Sequence, residues 1–230
     1  MKNNILTIGR YALSLLLVFA VVAVSLFTAI TGANISAGAA TINDTWDGTQ
    51  ATGFFSGTGT KDDPYIISNA EQMAYAALST TLDSAGKYFK VIDNAVFNMN
   101  GMMNITLDST AEQVKNATRK ESYKWNSESS TFAGNFDGNG AVIYNIYAND
   151  SYAGLFPKIN TNNTDKSVTI SNITVKASCF IGYHYAGGIV GEARASTTSQ
   201  KLNFSQCAVV NCYITDNNST NPVCERTSGK

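Results

Sequence analysis

Three tyrosines and a scatter of carboxylates are the residues of this chain with the most chemistry to offer. Tyr144, Tyr147 and Tyr213 fall at outward positions of strand-like segments. Aromatic rings with a polar tip on a flat sheet suit sugar or protein binding, although β-propensity and cross-strand stacking account for them equally well. Catalysis has less to work with. The single histidine, His184, lies in Gly182-Tyr-His-Tyr-Ala. No G-x-S-x-G nucleophile accompanies it, so it reads as a loop or outward strand residue. One histidine also excludes two-histidine zinc sites. Cys179, Cys207, Cys212 and Cys224 lack C-x-x-C spacing and read as small buried hydrophobes. Export would permit disulfides, and four cysteines leave the pairing open among three full connectivities. Asp62-Asp63 and Asp137-Gly-Asn139-Gly could hold Ca²⁺, but without D-x-D-x-D-G alternation they are turn formers first. No cofactor, no metal site and no catalytic activity are expected.

The chain has 230 residues, of which 44% are apolar and 14% charged. That length can bury a core. Sixteen Lys and Arg against 17 Asp and Glu give a net charge of −1. Without a basic field to neutralise phosphates, a nucleic-acid partner is excluded from the expectation. Asn occurs 24 times, Gly 18 and Pro three, a composition of β structure with many turns.

The N-terminus reads as an address. Lys2 and Arg10 precede a charge-free apolar run over 11–30, and Ala37-Gly38-Ala39 has the small-x-small form that signal peptidase accepts. Residues 1–39 are therefore expected to be a secretory signal peptide. The rival is an uncleaved anchor, since 20 residues can span a bilayer. Polar Ser14, Ser25 and Thr28 favour the signal. Either way the rest is exported, secreted or held at the cell surface, and meets a membrane only through this segment if it stays. Cleavage removes Lys2 and Arg10, leaving 14 basic against 17 acidic residues, or −3. Beyond residue 39 there are nine N-x-S/T sequons, many of which arise by chance in a chain this rich in Asn, Thr and Ser.

The elements follow. Residues 40–107 form a lead-in and capping region. Tyr65-Ile-Ile67 is a short strand, and Ser68-x-x-Glu71 is a capping box. Ala70, Met73, Ala74, Ala77 and Leu78 line one helical face, and the helix is expected to stop near Leu82. Residues 88–99 are strand. Residues 108–131 read as a polar insertion loop with one helical turn, 132–215 as repeats and 216–230 as a polar tail.

The repeats set the fold. Ala141-x-Ile-x-Asn145-Ile-x-Ala148, Val168-x-Ile-x-Asn172-Ile-x-Val175 and Cys207-x-Val-x-Asn211-Cys-x-Ile214 share one frame. Their apolar positions alternate, slip by one at the Asn, and alternate again. A strand that bends at the Asn keeps them all on one face. Tyr152-Ala-Gly-Leu-Phe156 and Tyr185-Ala-Gly-Gly-Ile-Val190 form a second repeat. Units too small to bury their own apolar faces stack into solenoids. The expectation is an all-β fold, a right-handed parallel β-helix of few coils with an N-terminal capping helix. Asn145, Asn172 and Asn211 would then stack as an amide ladder.

Phe132-Ala-Gly-Asn-Phe-Asp-Gly-Asn-Gly140-x-x-Ile143 resembles the F-x-G-x-F-D-G-x-G-x-x-I signature of secreted bacterial β-helix repeat surface proteins. The Y-A-G-[LI]-[FV] and I-x-N-[IC] segments resemble their GLUG-type repeats. Gly57-Thr-Gly-Thr-Lys-Asp-Asp-Pro64-Tyr65 resembles their lead-in. Such modules are found in adhesins and in the non-catalytic region of IgA-specific metallopeptidases. The resemblance implies an extracellular, adhesin-like interaction module whose partner is a glycan or a host or matrix protein. The alternatives are a carbohydrate-active β-helix enzyme, a polysaccharide lyase or hydrolase, and a purely structural stalk. The enzyme needs clustered carboxylates on the outer face. The outward positions Tyr144, Tyr147, Ser171, Thr174, Val210 and Tyr213 hold none, and Glu192 beside Arg194 is a lone exception.

Overall fold

Alternating apolar and polar residues build twelve strands in the computed structural model, which describes residues 43–126, 129–160, 167–195 and 201–217. The first sheet holds β1 (Asn43–Thr45), β2 (Tyr65–Ile67), β3 (Tyr88–Val91), β4 (Val96–Asn98), β5 (Asn135–Tyr144), β8 (Val168–Lys176) and β11 (Leu202–Val210). The second holds β6 (Tyr147–Ala153), β9 (Cys179–Ala186) and β12 (Tyr213–Asp216). The third pairs β7 (Phe156–Asn160) with β10 (Val190–Arg194). Every pairing between these strands is parallel. The protein is mostly β, built of parallel sheets.

The chain passes through the sheets in a fixed order: β5, β6, β7, then β8, β9, β10, then β11 and β12. Phe136 faces Ile170, and Ile170 faces Phe204, a step of 34 residues each time. Parallel register places like positions on like faces. Tyr65, Phe89, Phe136, Ile170 and Phe204 therefore follow one another across five strands. Phe89, Phe136 and Ile170 are fully buried. Each such side chain contributes about 1.5–3 kcal/mol through burial.

The bends that let one pass turn into the next depend on backbone in the left-handed region. Asn94, Asn139, Asn172 and Gln206 take positive φ at one corner, and Asn100, Asn145, Ala177 and Asn211 at another. Asn tolerates this region better than other residues with a side chain. Its frequency in the chain thus has a backbone cause. At the first corner Asp137 Oδ1 accepts from Asn139 N (2.9 Å) and Asn172 Nδ2 (2.8 Å). Gly138 sits where a Cβ would come within 2.5 Å of the Asn172 carbonyl oxygen, so only glycine fits there. At the second corner the buried Asn145 is fully engaged. Its Nδ2 donates to Asn98 Oδ1 (3.0 Å) and Met102 O (3.3 Å), and its Oδ1 accepts from Met102 N (3.0 Å).

The expected single Asn ladder does not form. Tyr144 faces Lys176 and Lys176 faces Val210, which stacks Asn145 with Ala177 and Asn211. Asn172 belongs to the other corner, beside Asp137. Both corners of one strand carry the same local pattern, so the frame aligned two different bends. The second repeat is in register as read: Tyr152 faces Tyr185 and Ala153 faces Ala186.

The helix α1 (Ala70–Leu78) buries the expected face, with Ala76 in addition. Its cap is Asn69 rather than Ser68: Asn69 Oδ1 accepts from Gln72 N (2.9 Å), while Gln72 Oε1 accepts from Ser68 N (2.8 Å). Asp44 of β1 adds a bond from Ala70 N (2.7 Å). The helix ends at Leu78, earlier than Leu82, because extended Ser79 turns the chain and its Oγ accepts from Thr81 N and Leu82 N. A second helix, α2 (Ala111–Asn116), opens with a true capping box between Thr110 and Gln113. The signal-peptide reading over 1–39 lies outside the described residues, as does most of the polar tail. Among the described residues no helix is long and apolar enough to cross a membrane.

Asn145→Ala should lower unfolding free energy by about 3 kcal/mol, since it orphans the Met102 backbone and keeps the strained φ. Asn172→Ala keeps a positive φ as well but loses only one half-buried bond and orphans no backbone group, and should cost about half as much. Urea denaturation of the two variants measures this; equal losses would mean the corner amides do not set the difference.

Candidate functional site

The three tyrosines do not form one platform. Tyr144 lies on the first sheet beside Lys176, while Tyr147 and Tyr213 lie across the Asn145 corner on the second, each facing Cys179. Tyr147 is only 3% exposed. The 100–125 segment covers it: Met102, Ile105 and Val114 pack with it, and the Arg119 guanidinium stands 5.7 Å from its ring centre. Its hydroxyl donates to Glu121 Oε1 (2.9 Å), and Trp125 N donates to Tyr147 O (2.7 Å). Tyr213 is half-buried under Lys115, 5.9 Å away. Alternation gave the direction of these side chains correctly, but another part of the chain fills the space they point into. Tyr147 is therefore corrected from a ligand-binding residue to a core residue. Trp46 and Trp125 are buried too, edge to face at 5.3 Å, with Trp125 Nε1 donating to Leu155 O (2.9 Å).

A groove lies instead over the outer face of the first sheet. It encloses about 630 Å³ and is lined by Lys61, Asp62, Tyr88, Lys90, Asn135 and Asp137, with Thr169 and Ser171 beyond. Register builds it: Tyr88 faces Asn135, Lys90 faces Asp137, and Asp137 faces Ser171. Its volume is in the range of ligand pockets. Its lining of amide, hydroxyl, ammonium and carboxylate groups around a tyrosine suits a hydroxyl-rich ligand. The lead-in loop forms one wall because Thr58, Gly59 and Thr60 N–H groups all converge on Asp63 O (3.0–3.1 Å). Asp63 Oδ2 accepts from Thr58 Oγ1 (2.9 Å). Asp63 and Asp137 thus spend their carboxylates on turns, the role the sequence assigned to them before calcium. Among the described residues no three His, Cys, Asp or Glu side chains gather to hold a metal.

The sequence reading missed this groove, although a signal was present. Asp137 alternates with inward Phe136, so a carboxylate does face outward from a repeat strand. That qualifies the expectation of none. What could not be read was that Asp62 lines the same groove as Asp137, which comes from a loop lying beside a sheet.

A second exposed cluster sits where β9 carries an extra residue opposite β6. That bulge brings both His184 and Tyr185 beside Tyr152, at 6.1 and 5.9 Å with ring planes within 19° and 16°. Lys158 Nζ stands 4.8 Å from the Tyr152 ring centre. Arg194 nearby donates to Glu192 Oε1 through Nη2 (2.6 Å) and Nε (2.8 Å).

Cys179, Cys207 and Cys212 are free thiols; Cys224 lies outside the described residues. Cys179 is fully buried, and the Cys212 thiol donates to Val175 O (3.8 Å). Burial pushes the Cys179 thiol up to about 11 and the Cys212 thiol up to about 12. These are not nucleophiles.

Against known proteins the chain stands largely apart. No family model matches it, and no solved structure does. It is 28% identical over 139 residues to halomucin of Haloquadratum walsbyi, a match covering 59% of this chain. The chain spans about 1% of the length of that relative.

The thiols generate a pH prediction. The folded state holds these protons above the ordinary thiol value near 9, while the unfolded state releases them. Stability should therefore be unaffected below pH 8 and fall above pH 9 by about 1.4 kcal/mol per pH unit for each of Cys179 and Cys212. Denaturant titrations of the protein and of Cys179→Ala and Cys212→Ala check this. Each variant should show a shallower alkaline decline.

Proposed function

We propose that the chain is an exported, non-catalytic interaction module that holds a polar outer face to an extracellular glycan or to a host or matrix protein. Its strands form a right-handed parallel β-helix of few coils, with α1 as the N-terminal cap. The 34-residue step and the fixed order of the three sheets support that architecture. The signal-like N-terminus and the resemblance to bacterial β-helix surface proteins support export and an adhesin-like role. The groove carries the functional reading: Tyr88 stands among Lys61, Lys90, Asp62 and Asp137 on a sheet face that is otherwise small and polar. An amphipathic ring flanked by hydrogen-bonding groups is the chemistry that recognises a sugar.

A second reading, a carbohydrate-active enzyme, draws on one observation. Asp62 and Asp137 line the same groove, and glycosidic cleavage uses carboxylate pairs. Asp137 is held as a turn acceptor by Asn139 and Asn172, which favours binding over proton transfer.

Incubation with insoluble polysaccharides and mucin separates the readings. Depletion of protein from the supernatant without released reducing ends is expected. Tyr88→Ala should weaken retention about tenfold, and Tyr185→Ala should leave it unchanged. Released reducing ends would establish the enzyme instead, and a folded protein that neither binds nor cleaves would leave the stalk.

A further inference from the structure

The groove over the first sheet has a direction. Two outward rows cross the strands. In one, Tyr88 faces Asn135, Asn135 Oδ1 accepts from Thr169 N (3.2 Å), and Thr169 faces Asn203. In the other, Lys90 faces Asp137, Asp137 faces Ser171, and Ser171 faces Ser205. Both rows run over β3, β5, β8 and β11. Asn203 and Ser205 are exposed, so β11 prolongs the polar path beyond Thr169 and Ser171.

Along the strands the polar face is short. β3 and β5 begin at Tyr88 and Asn135. Past the Asn139 corner the next outward side chain of β5 is Val142, set between Val96 and Thr174. Across the strands the path is walled at one end. Tyr88 N donates to Gly59 O (3.0 Å), which holds the lead-in loop against β3. Lys61, Asp62 and Pro64 line the groove there.

The groups along the path are half used, and the unused halves are complementary. Thr169 N occupies Asn135 Oδ1, while Asn135 Nδ2 donates to no group among the described residues. Ser171 Oγ gives its proton to Phe136 O (3.3 Å) and keeps lone pairs to accept. Asp137 spends Oδ1 on Asn139 and Asn172, and its Oδ2 accepts from no group among the described residues. A sugar hydroxyl donates one bond and accepts others, so an amide donor beside hydroxyl and carboxylate acceptors matches it. Neighbouring strands stand about 4.8 Å apart, close to the advance of one sugar along an extended glycan.

We propose that the groove takes the end of an extended, linear glycan laid across the strands. Its terminal sugar lies on Tyr88 against the lead-in loop, and the next three lie over β5, β8 and β11. This assignment rests on the groove being a sugar site. Calorimetric titration of the protein with linear oligomers of glucose, N-acetylglucosamine, xylose and galacturonate tests it. In the series that binds, affinity should rise about fivefold with each added sugar up to the fourth and then level. The double variant Asn203→Ala/Ser205→Ala changes two exposed side chains and should keep the circular dichroism. It should bind the two-sugar oligomer like the parent and the four-sugar oligomer about fivefold more weakly. Equal affinity for one and four sugars, or a fourth-sugar gain that survives the double variant, would overturn the path across the strands and leave a sugar site at Tyr88. A gain that continues past the fourth sugar would carry the glycan over the loop and overturn the terminal placement. Binding to none of the oligomers would overturn the path and the sugar site together.

Discussion

Each pass of this chain depends on the next one for its apolar cover. A strand of five to ten residues cannot bury a phenylalanine by itself, and the parallel register hands Phe89 to Phe136, Phe136 to Ile170 and Ile170 to Phe204. The burial of one layer is thus the work of its neighbours on both sides. This explains why Ile170 is fully buried and Phe204 is not, although their positions in a pass are the same. At β2 an antiparallel bridge to Ser56 lies along the outer edge, whereas the inward side chains of β11 meet no further strand among the described residues.

Stacked passes require corners, and corners decide much of the composition. Seven of the nine non-glycine residues with positive φ among the described residues are asparagines. At these bends the side chain does more than tolerate the backbone. Asn145 satisfies both the N–H and the carbonyl of Met102, groups that would otherwise be buried without partners. Asp137 joins two bends by accepting from Asn139 and Asn172. Polar residues that resemble ligands in the sequence are consumed in holding the path of the chain.

The surface left for function is what the insertion and the lead-in do not cover. The 100–125 segment lies over the start of the second sheet and removes Tyr147 from solvent. The loop ending at Asp63 stands beside the first sheet and turns a flat face into a groove. Both segments lie outside the long strands, and both act on strands far away in the chain.

The sequence by itself determined the local conformations. Alternation marked which side chains point inward, the phase slip marked the bends at Asn145, Asn172 and Asn211, and the Tyr-Ala-Gly repeat marked true neighbours, since Tyr152 does face Tyr185. These are properties of a few adjacent residues, set by strand geometry and by the backbone freedom of Asn and Gly. The helix was legible by its apolar face, though its cap moved by one residue because Asn69 and Gln72 compete for the same bonds as Ser68 and Glu71. Only the tertiary structure decided which bend lies over which. The two corners of a strand look alike locally, and loops of unequal length separate the copies, so Asn172 could not be told from Asn145 until the register was known. Only the tertiary structure, likewise, buried Tyr147 and set Asp62 and Asp137 along one groove. Exposure and proximity depend on what distant segments fill, and neighbouring residues carry no record of that.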